Sequence, residues 1–146
     1  MPFKTRDAQV LTLGDDWREI VLLESLHYQD AVRCDYLVPK GLRSDYGSVP
    51  RLFWSWIPPH QYRAEYLLHD ALYMGEVVSR AEADKILRHA LAEAGCNLIR
   101  RNIIYTAVRI GGYFVWRKHK PDETAKIRQL ILDQGGQPYW SYAQAT

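Results

Sequence analysis

The sequence has few cysteines and no long hydrophobic run. Its two cysteines, Cys34 and Cys96, lie far apart and in no CxxC or Cys/His spacing. It therefore gives no sign of a disulfide framework or a structural zinc site, and both thiols are expected to be buried. No stretch approaches the ~18 apolar residues of a membrane span, and the N-terminal residues MPFKTRDAQV lack a signal-peptide core. We expect no transmembrane segment and a cytoplasmic protein.

Acidic residues are missing from one part of the chain. The net charge is only +2, which gives no strong signal for nucleic-acid binding. From Asn97 to Lys120, however, there is no acid and there are six basic residues: Arg100, Arg101, Arg109, Arg117, Lys118 and Lys120. Such a segment suits phosphate or an anionic surface, but it also suits a solvated helix whose basic C-terminal end matches the helix dipole. The composition leaves both readings open.

The composition is that of a globular protein, with 47% hydrophobic and 25% charged residues. Its 146 residues match the size of one domain. Residues rich in Val, Leu, Ile, Trp and Tyr predict strands at Gln9 to Leu13, Trp17 to Leu23 and Val32 to Val38, with Gly14-Asp15-Asp16 as a hairpin connection. We predict a single domain, 1–146, with a small antiparallel sheet at about 8–50, a helical part at about 51–133 and a tail at 134–146.

The rest of the chain is predicted to be helical, which makes the fold α+β with four to five helices. Lys40 to Pro50 is predicted to be a loop because it is rich in Pro and Gly. Predicted helices run from Pro50 to Trp56, from about His60 to Met74, from Ser79 to Gly95, from Asn97 to Trp116 and from Pro121 to Leu132. Ser79-Arg80-Ala81-Glu82 is a capping box, and Gly95 suits a C-terminal cap. The fourth of these helices carries one broad apolar stripe, and Gly111-Gly112 predicts a kink or a close helix contact there.

One segment combines an imidazole, a carboxylate and a phenol. His69 and Tyr73 are four apart and share a helix face, whereas Asp70 is rotated by about 100° from His69. Asp84 lies on the apolar side of the next helix, and the short connection predicts antiparallel neighbours, with Asp84 opposite His69. A carboxylate there would fix the imidazole tautomer and leave the other ring nitrogen to deprotonate water. The pattern therefore predicts a general-base dyad.

The same pattern resembles a known helix pair. His-Asp-x-x-Tyr followed by Ala-Asp-Lys on the next helix is similar to the catalytic helices of secreted and parvoviral calcium-dependent phospholipases. This resemblance implies that His69 is the base, Asp70 a calcium ligand, Asp84 the orienting acid and Tyr73 its support. It also implies an upstream loop, for which Tyr46-Gly47 is the nearest candidate, although this segment has few glycines. Asp45 is a second candidate ligand for calcium or another divalent cation, or it stabilises a turn.

A second resemblance covers most of the chain. It rests on Val38-Pro39-Lys40-Gly41, Ser44-Asp45-Tyr46-Gly47-Ser48-Val49-Pro50, Leu68-His69-Asp70-Ala71-Leu72-Tyr73, Ala81-Glu82-Ala83-Asp84 and Ala107-Val108-Arg109. This ordered series resembles domain of unknown function 1353, an uncharacterised family of tailed-phage and prophage proteins. Tyr46 stands where that family's pattern has glycine. The resemblance implies a phage or prophage origin, with localisation in the bacterial host cytoplasm or in the virion, and supplies no activity.

Two functions remain open. The first is a metal-assisted hydrolase of phospholipid or another ester. The second is a non-enzymatic virion structural or assembly protein of a tail or baseplate, in which the helix pair is a scaffold. Other virion proteins would then contact the aromatic segments Phe53 to Ile57 and Tyr139 to Tyr142. Asp84 also has a plain structural reading, because a carboxylate among core positions needs a partner such as Arg80, Arg88 or Lys85.

Overall fold

A computed structural model describes residues 9–13, 19–30, 34–45, 52, 55 and 59–143. Within these residues, five strands come first: β1 (Val10–Thr12), β2 (Ile20–Leu22), β3 (Leu26–Gln29), β4 (Asp35–Val38) and β5 (Arg43–Ser44). A 3₁₀ helix (Pro59–Tyr62) then leads into α1 (Arg63–Met74), α2 (Arg80–Glu93), α3 (Leu98–Arg117), α4 (Pro121–Asp133) and α5 (Tyr139–Ala143). This order confirms the predicted α+β class.

Some predicted features lie outside the described residues. They are the Gly14-Asp15-Asp16 connection, the Tyr46-Gly47 loop, the helix from Pro50 to Trp56 apart from Leu52 and Ser55, and the aromatic segment Phe53 to Ile57. Among the residues that are described, no helix is both long and apolar enough to cross a membrane.

The strands form two antiparallel sheets. In one, β2 lies between β1 and β5, with Val10 opposite Leu22 and Ile20 opposite Ser44. In the other, β3 pairs with β4. The sequence prediction missed β3 and assigned β5 to a loop. The strand β5 has only two residues, too few to show an alternating apolar pattern, so its pairing with β2 is a tertiary effect.

The boundaries of α2 follow the caps predicted at Ser79 and Gly95. The Ser79 hydroxyl accepts a hydrogen bond from the Glu82 backbone N–H at 3.3 Å, and α2 begins at the next residue. The Asn97 side chain accepts from the Arg100 N–H at 2.9 Å in the same way at the start of α3. Gly95, just after α2, has φ +87°, a left-handed conformation that favours glycine at a helix C-terminus.

The first helix, α1, lies at the centre of the core. Every residue from Ala64 to Tyr73 is buried, so this helix has no solvent face. It contacts both strands of the β3–β4 sheet as well as α2 and α4. His69 and Asp70 therefore lie inside the protein, where any polar atom needs a partner.

Two sequence expectations are corrected by burial. The predicted stripe on α3 is divided, because Ile104 and Val108 face the core whereas Ile99 and Ile110 are exposed. Cys96 is buried as expected, but Cys34 is only half-buried.

The tail docks on the protein at Tyr139. Its hydroxyl accepts the Asp35 backbone N–H at 3.0 Å, and its ring packs on Tyr36 with centroids 5.0 Å apart. Trp140 lies under the Arg128 guanidinium at 5.1 Å. The side chain of Tyr142 is outside the described part of the chain.

Candidate functional site

The structure brings His69 and Asp84 together across the α1–α2 pair. His69 Nε2 lies 2.8 Å from Asp84 Oδ1, and both side chains are 0% exposed. The contact follows from the short connection after α1, which places the two helices side by side. Since a bare carboxylate in the core would cost several kcal/mol, this contact is part of what makes Asp84 tolerable there.

Tyr73 contacts the same carboxylate oxygen of Asp84 as His69 does. One helical turn after His69, its hydroxyl donates to Asp84 Oδ1 at 2.6 Å, and its ring packs on the imidazole at 4.2 Å. Gly112 of α3 is pressed against that phenol: a Cβ on Gly112 would lie 2.4 Å from the Tyr73 hydroxyl oxygen. Gly112 therefore serves close packing, one of the two outcomes that the sequence predicted for the glycine pair.

The other carboxylate oxygen binds Arg109, a residue that the sequence prediction of the site missed. Arg109 Nη1 donates to Asp84 Oδ2 at 2.8 Å, and Arg80 Nη1 lies 3.8 Å from the same oxygen while donating to the Arg109 carbonyl at 2.9 Å. Arg88, another predicted partner, binds Asn102 instead. The sequence signal was present in the need of a core carboxylate for a cation, but the cation comes mainly from α3.

These contacts set the protonation of the carboxylate. Burial alone would raise the pKa of Asp84, but hydrogen bonds from His69, Tyr73 and Arg109 outweigh it and hold the pKa below its ordinary value. Burial and the bond to Asp84 raise the pKa of Tyr73, and the bond to Asp84 raises the pKa of Arg109. At neutral pH the cluster therefore holds an ionised Asp84, a neutral phenol and a charged guanidinium.

The second ring nitrogen of His69 is in a different situation. Nδ1 is buried and has no hydrogen-bond partner among the described residues. A buried polar atom of this kind is uncommon in folded proteins and calls for a water molecule or a ligand. With Nε2 donating to Asp84, Nδ1 carries the lone pair and can accept a proton.

Asp70 points into a different sector, as the helix rotation predicted. Its Oδ2 accepts a hydrogen bond from the Ser44 hydroxyl of β5, and Asp70 is 8% exposed. Both residues line an open cleft of about 410 Å³, together with Asp45, Tyr73 and Val115. Asp45 is exposed at the rim. The two predicted metal ligands thus border one cleft, but within the described ranges no three His, Cys, Asp or Glu side chains cluster closely enough to hold a metal ion.

Comparison with known proteins identifies a family. A model of the family described as "Protein of unknown function (DUF1353)" matches residues 20–108, from β2 into α3. His69, Asp70, Tyr73 and Asp84 all lie in the matched part. The chain matches none of the curated proteins and none of the solved structures with which it was compared.

Proposed function

Since the chain belongs to the DUF1353 family, whose description states no activity, we propose its function from the site itself. The proposal is a hydrolase of phospholipid or another ester, with His69 as the general base. One observation carries it: Asp84 holds Nε2 of the imidazole at 2.8 Å, while Nδ1 is left without a partner in the described structure. A general base needs one ring nitrogen held in this way and the other not engaged by a protein group.

The proposed reaction is attack by water. Nδ1 of His69 takes a proton from a water molecule as its oxygen bonds to the electrophilic centre of the ester. The imidazolium that forms is stabilised by the ionised Asp84, and it then gives the proton to the departing alkoxide. Tyr73 and Arg109 hold the carboxylate from both sides, so the ring is fixed before substrate arrives.

A divalent cation, calcium or another, is part of the proposal at the cleft beside Asp70. A cation there would offset the negative charge that develops on the ester oxygen. Asp70 and Asp45 offer at most four oxygens between them, whereas calcium takes six to eight, so carbonyl groups and water would have to supply the others. The donor set therefore fits a weak site at best, and the roles of His69 and Asp84 do not depend on it.

The proposal is tested with His69→Gln, because glutamine is close in size and its amide can still donate to Asp84. Fatty-acid release from phospholipid vesicles, and release of alcohol from a soluble ester, would be measured with calcium and with a chelator. We expect His69→Gln to lower the rate by at least about 10²-fold. The matched control is His89→Gln, on the exposed side of α2, which should leave the rate of hydrolysis unchanged. A wild-type protein inactive on both substrates under every condition would rule out the hydrolase.

Complete burial of His69 favours a second candidate, a structural or assembly protein of a phage tail or baseplate. A base must exchange protons with a reactant, but the His69 side chain is 0% exposed and Asp84 already has an arginine partner. In this reading the cluster only joins three helices. An origin in tailed phage or prophage, and a place in the host cytoplasm or in the virion, belong to the proposal and rest on the ordered motif series. A wild-type protein without activity, in which Asp84→Asn lowers the free energy of unfolding, would support this candidate.

A further inference from the structure

One face of α3 is apolar although it points to solvent. Ile99 is 75% exposed, Ile110 66% and Phe114 62%. The core-facing residues of the same helix, Ile104 and Val108, are 0% exposed and lie on the opposite side. Polar residues normally occupy the outer face of a surface helix, so an exposed apolar face such as this one is typical of a surface that binds a partner.

The spacing of that face is the spacing of a helix–helix seam. We call Ile99, Ile103, Thr106, Ile110 and Tyr113 the α3 seam; successive members are four, three, four and three residues apart. This is the alternation of the a and d positions in paired helices, and it places the five residues along one side of α3. Four members of the seam, all but Tyr113, line a groove of about 730 Å³, in which the small residues Ala107 and Gly111 leave room for an inserted side chain.

The charges around the seam select its partner. On the side of α2, the Arg80 guanidinium lies 5.9 Å from the Tyr113 ring, and Arg88 donates to Asn102 at 2.9 Å. At the C-terminal end, Arg117 lies 5.5 Å from the Tyr113 ring. No acid occurs from Asn97 to Lys120. The rim of the groove is therefore basic on the α2 side and at that end.

We propose that the α3 seam docks an amphipathic helix of another protein, one with apolar residues at heptad spacing and acidic residues beside them. A second copy of this chain would bring two basic rims together in either orientation, which like-charge repulsion opposes. A lipid surface has no side chains at fixed spacing to match the seam and enter the groove between Ile99 and Gly111. A helix with acidic flanks satisfies the apolar seam, the groove and the charge at once. This inference is independent of ester hydrolysis.

The test uses the whole chain and a fluorescent synthetic peptide of three heptads with Leu at a and d and Glu at e and g. A matched peptide has Lys in place of Glu. Fluorescence anisotropy should show binding of the Glu peptide, weakened by added salt, and no binding of the Lys peptide. Ile110→Glu should weaken binding at least about tenfold. Leu132→Glu, which makes the same change on the exposed side of α4, should leave it unchanged.

Four results would overturn the proposal. The first is equal binding, or no binding, of the two peptides. The second is sedimentation of the protein alone as a dimer that Ile110→Glu dissociates, which would make a second copy the occupant. The third is binding to phosphatidylglycerol vesicles without binding to the Glu peptide, which would make the occupant a lipid surface. An equal loss of binding in Leu132→Glu would show that the peptide does not occupy the seam.

Discussion

Replacing Asp84 with asparagine removes the charge on which three helices converge while keeping the shape of the side chain. The carboxylate accepts from His69 and Tyr73 on one oxygen and from Arg109 on the other. An asparagine amide has one oxygen and one NH₂ group, so it can satisfy only one of these two sides. Whichever way it turns, an N–H group faces a donor.

The magnitude follows from the burial of the partners. Leaving a buried ion without its partner costs about 3–5 kcal/mol. His69 and Tyr73 are at most 1% exposed, so water cannot replace the lost acceptor for them, but the Arg109 side chain is 32% exposed and is partly solvated. We therefore expect Asp84→Asn to lower the free energy of unfolding by about 3 kcal/mol, a large part of the ~5–15 kcal/mol typical of a domain.

The assay is urea unfolding followed by circular dichroism and tryptophan fluorescence, with the free energy extrapolated to water. The control is Asp133→Asn on α4, where an exposed carboxylate accepts from Gln129; it should change stability by less than about 0.5 kcal/mol. If Asp84→Asn lowers the free energy of unfolding by less than about 1 kcal/mol, the carboxylate does not hold the three helices together, and its buried partners do not depend on it.

Three further predictions concern the same helices. Gly112→Ala should lower the free energy of unfolding by about 1–3 kcal/mol, measured by thermal or urea unfolding. In a Tyr73→Phe background the same substitution should cost less, because the hydroxyl oxygen that the new methyl group would meet is gone. An equal cost in both backgrounds would contradict the close contact. The pKa of Asp84 is lower in the folded protein than its unfolded value near 4, so the ionised carboxylate stabilises the fold above that value. This stabilisation is lost as pH falls through the folded pKa. The free energy of unfolding of Asp84→Asn, measured by acid unfolding, should therefore depend less steeply on pH than that of the wild type. Ser79→Ala should cost about 1 kcal/mol, measured by urea unfolding, and no loss would mean that the hydroxyl does not cap α2.

The parts of the fold that sequence predicts well are set by local chemistry. Ser79 and Asn97 mark helix starts because their side chains satisfy free N–H groups, and Gly95 marks an end because it adopts a left-handed conformation. The meeting of His69 with Asp84 was also predictable, since two helices joined by a short loop must be neighbours. Helical period and loop length fix that contact without any knowledge of the third helix.

The parts that sequence missed depend on contacts distant in the chain. Arg109 reaches Asp84 across 25 residues, and Ser44 reaches Asp70 across 26. Composition and helical period do not distinguish Arg109, which binds inward, from Arg117, which is exposed; only the family series Ala107-Val108-Arg109 singles it out. The burial of His69 was equally hidden, because it results from elements packing around α1 on every side.

Because α3 lies close to α1 and α2, the contacts that orient His69 are the same contacts that pack the three helices together. Gly112 lets the helix backbone reach the Tyr73 phenol, and that approach carries Arg109 to the same carboxylate that orients His69. A truncation such as His69→Ala would leave a cavity and remove a donor, so it would lower stability whether or not the histidine is a base. Only a substitution that keeps volume and the bond to Asp84 separates the two roles, because it removes the ring nitrogen Nδ1 while the three helices stay joined.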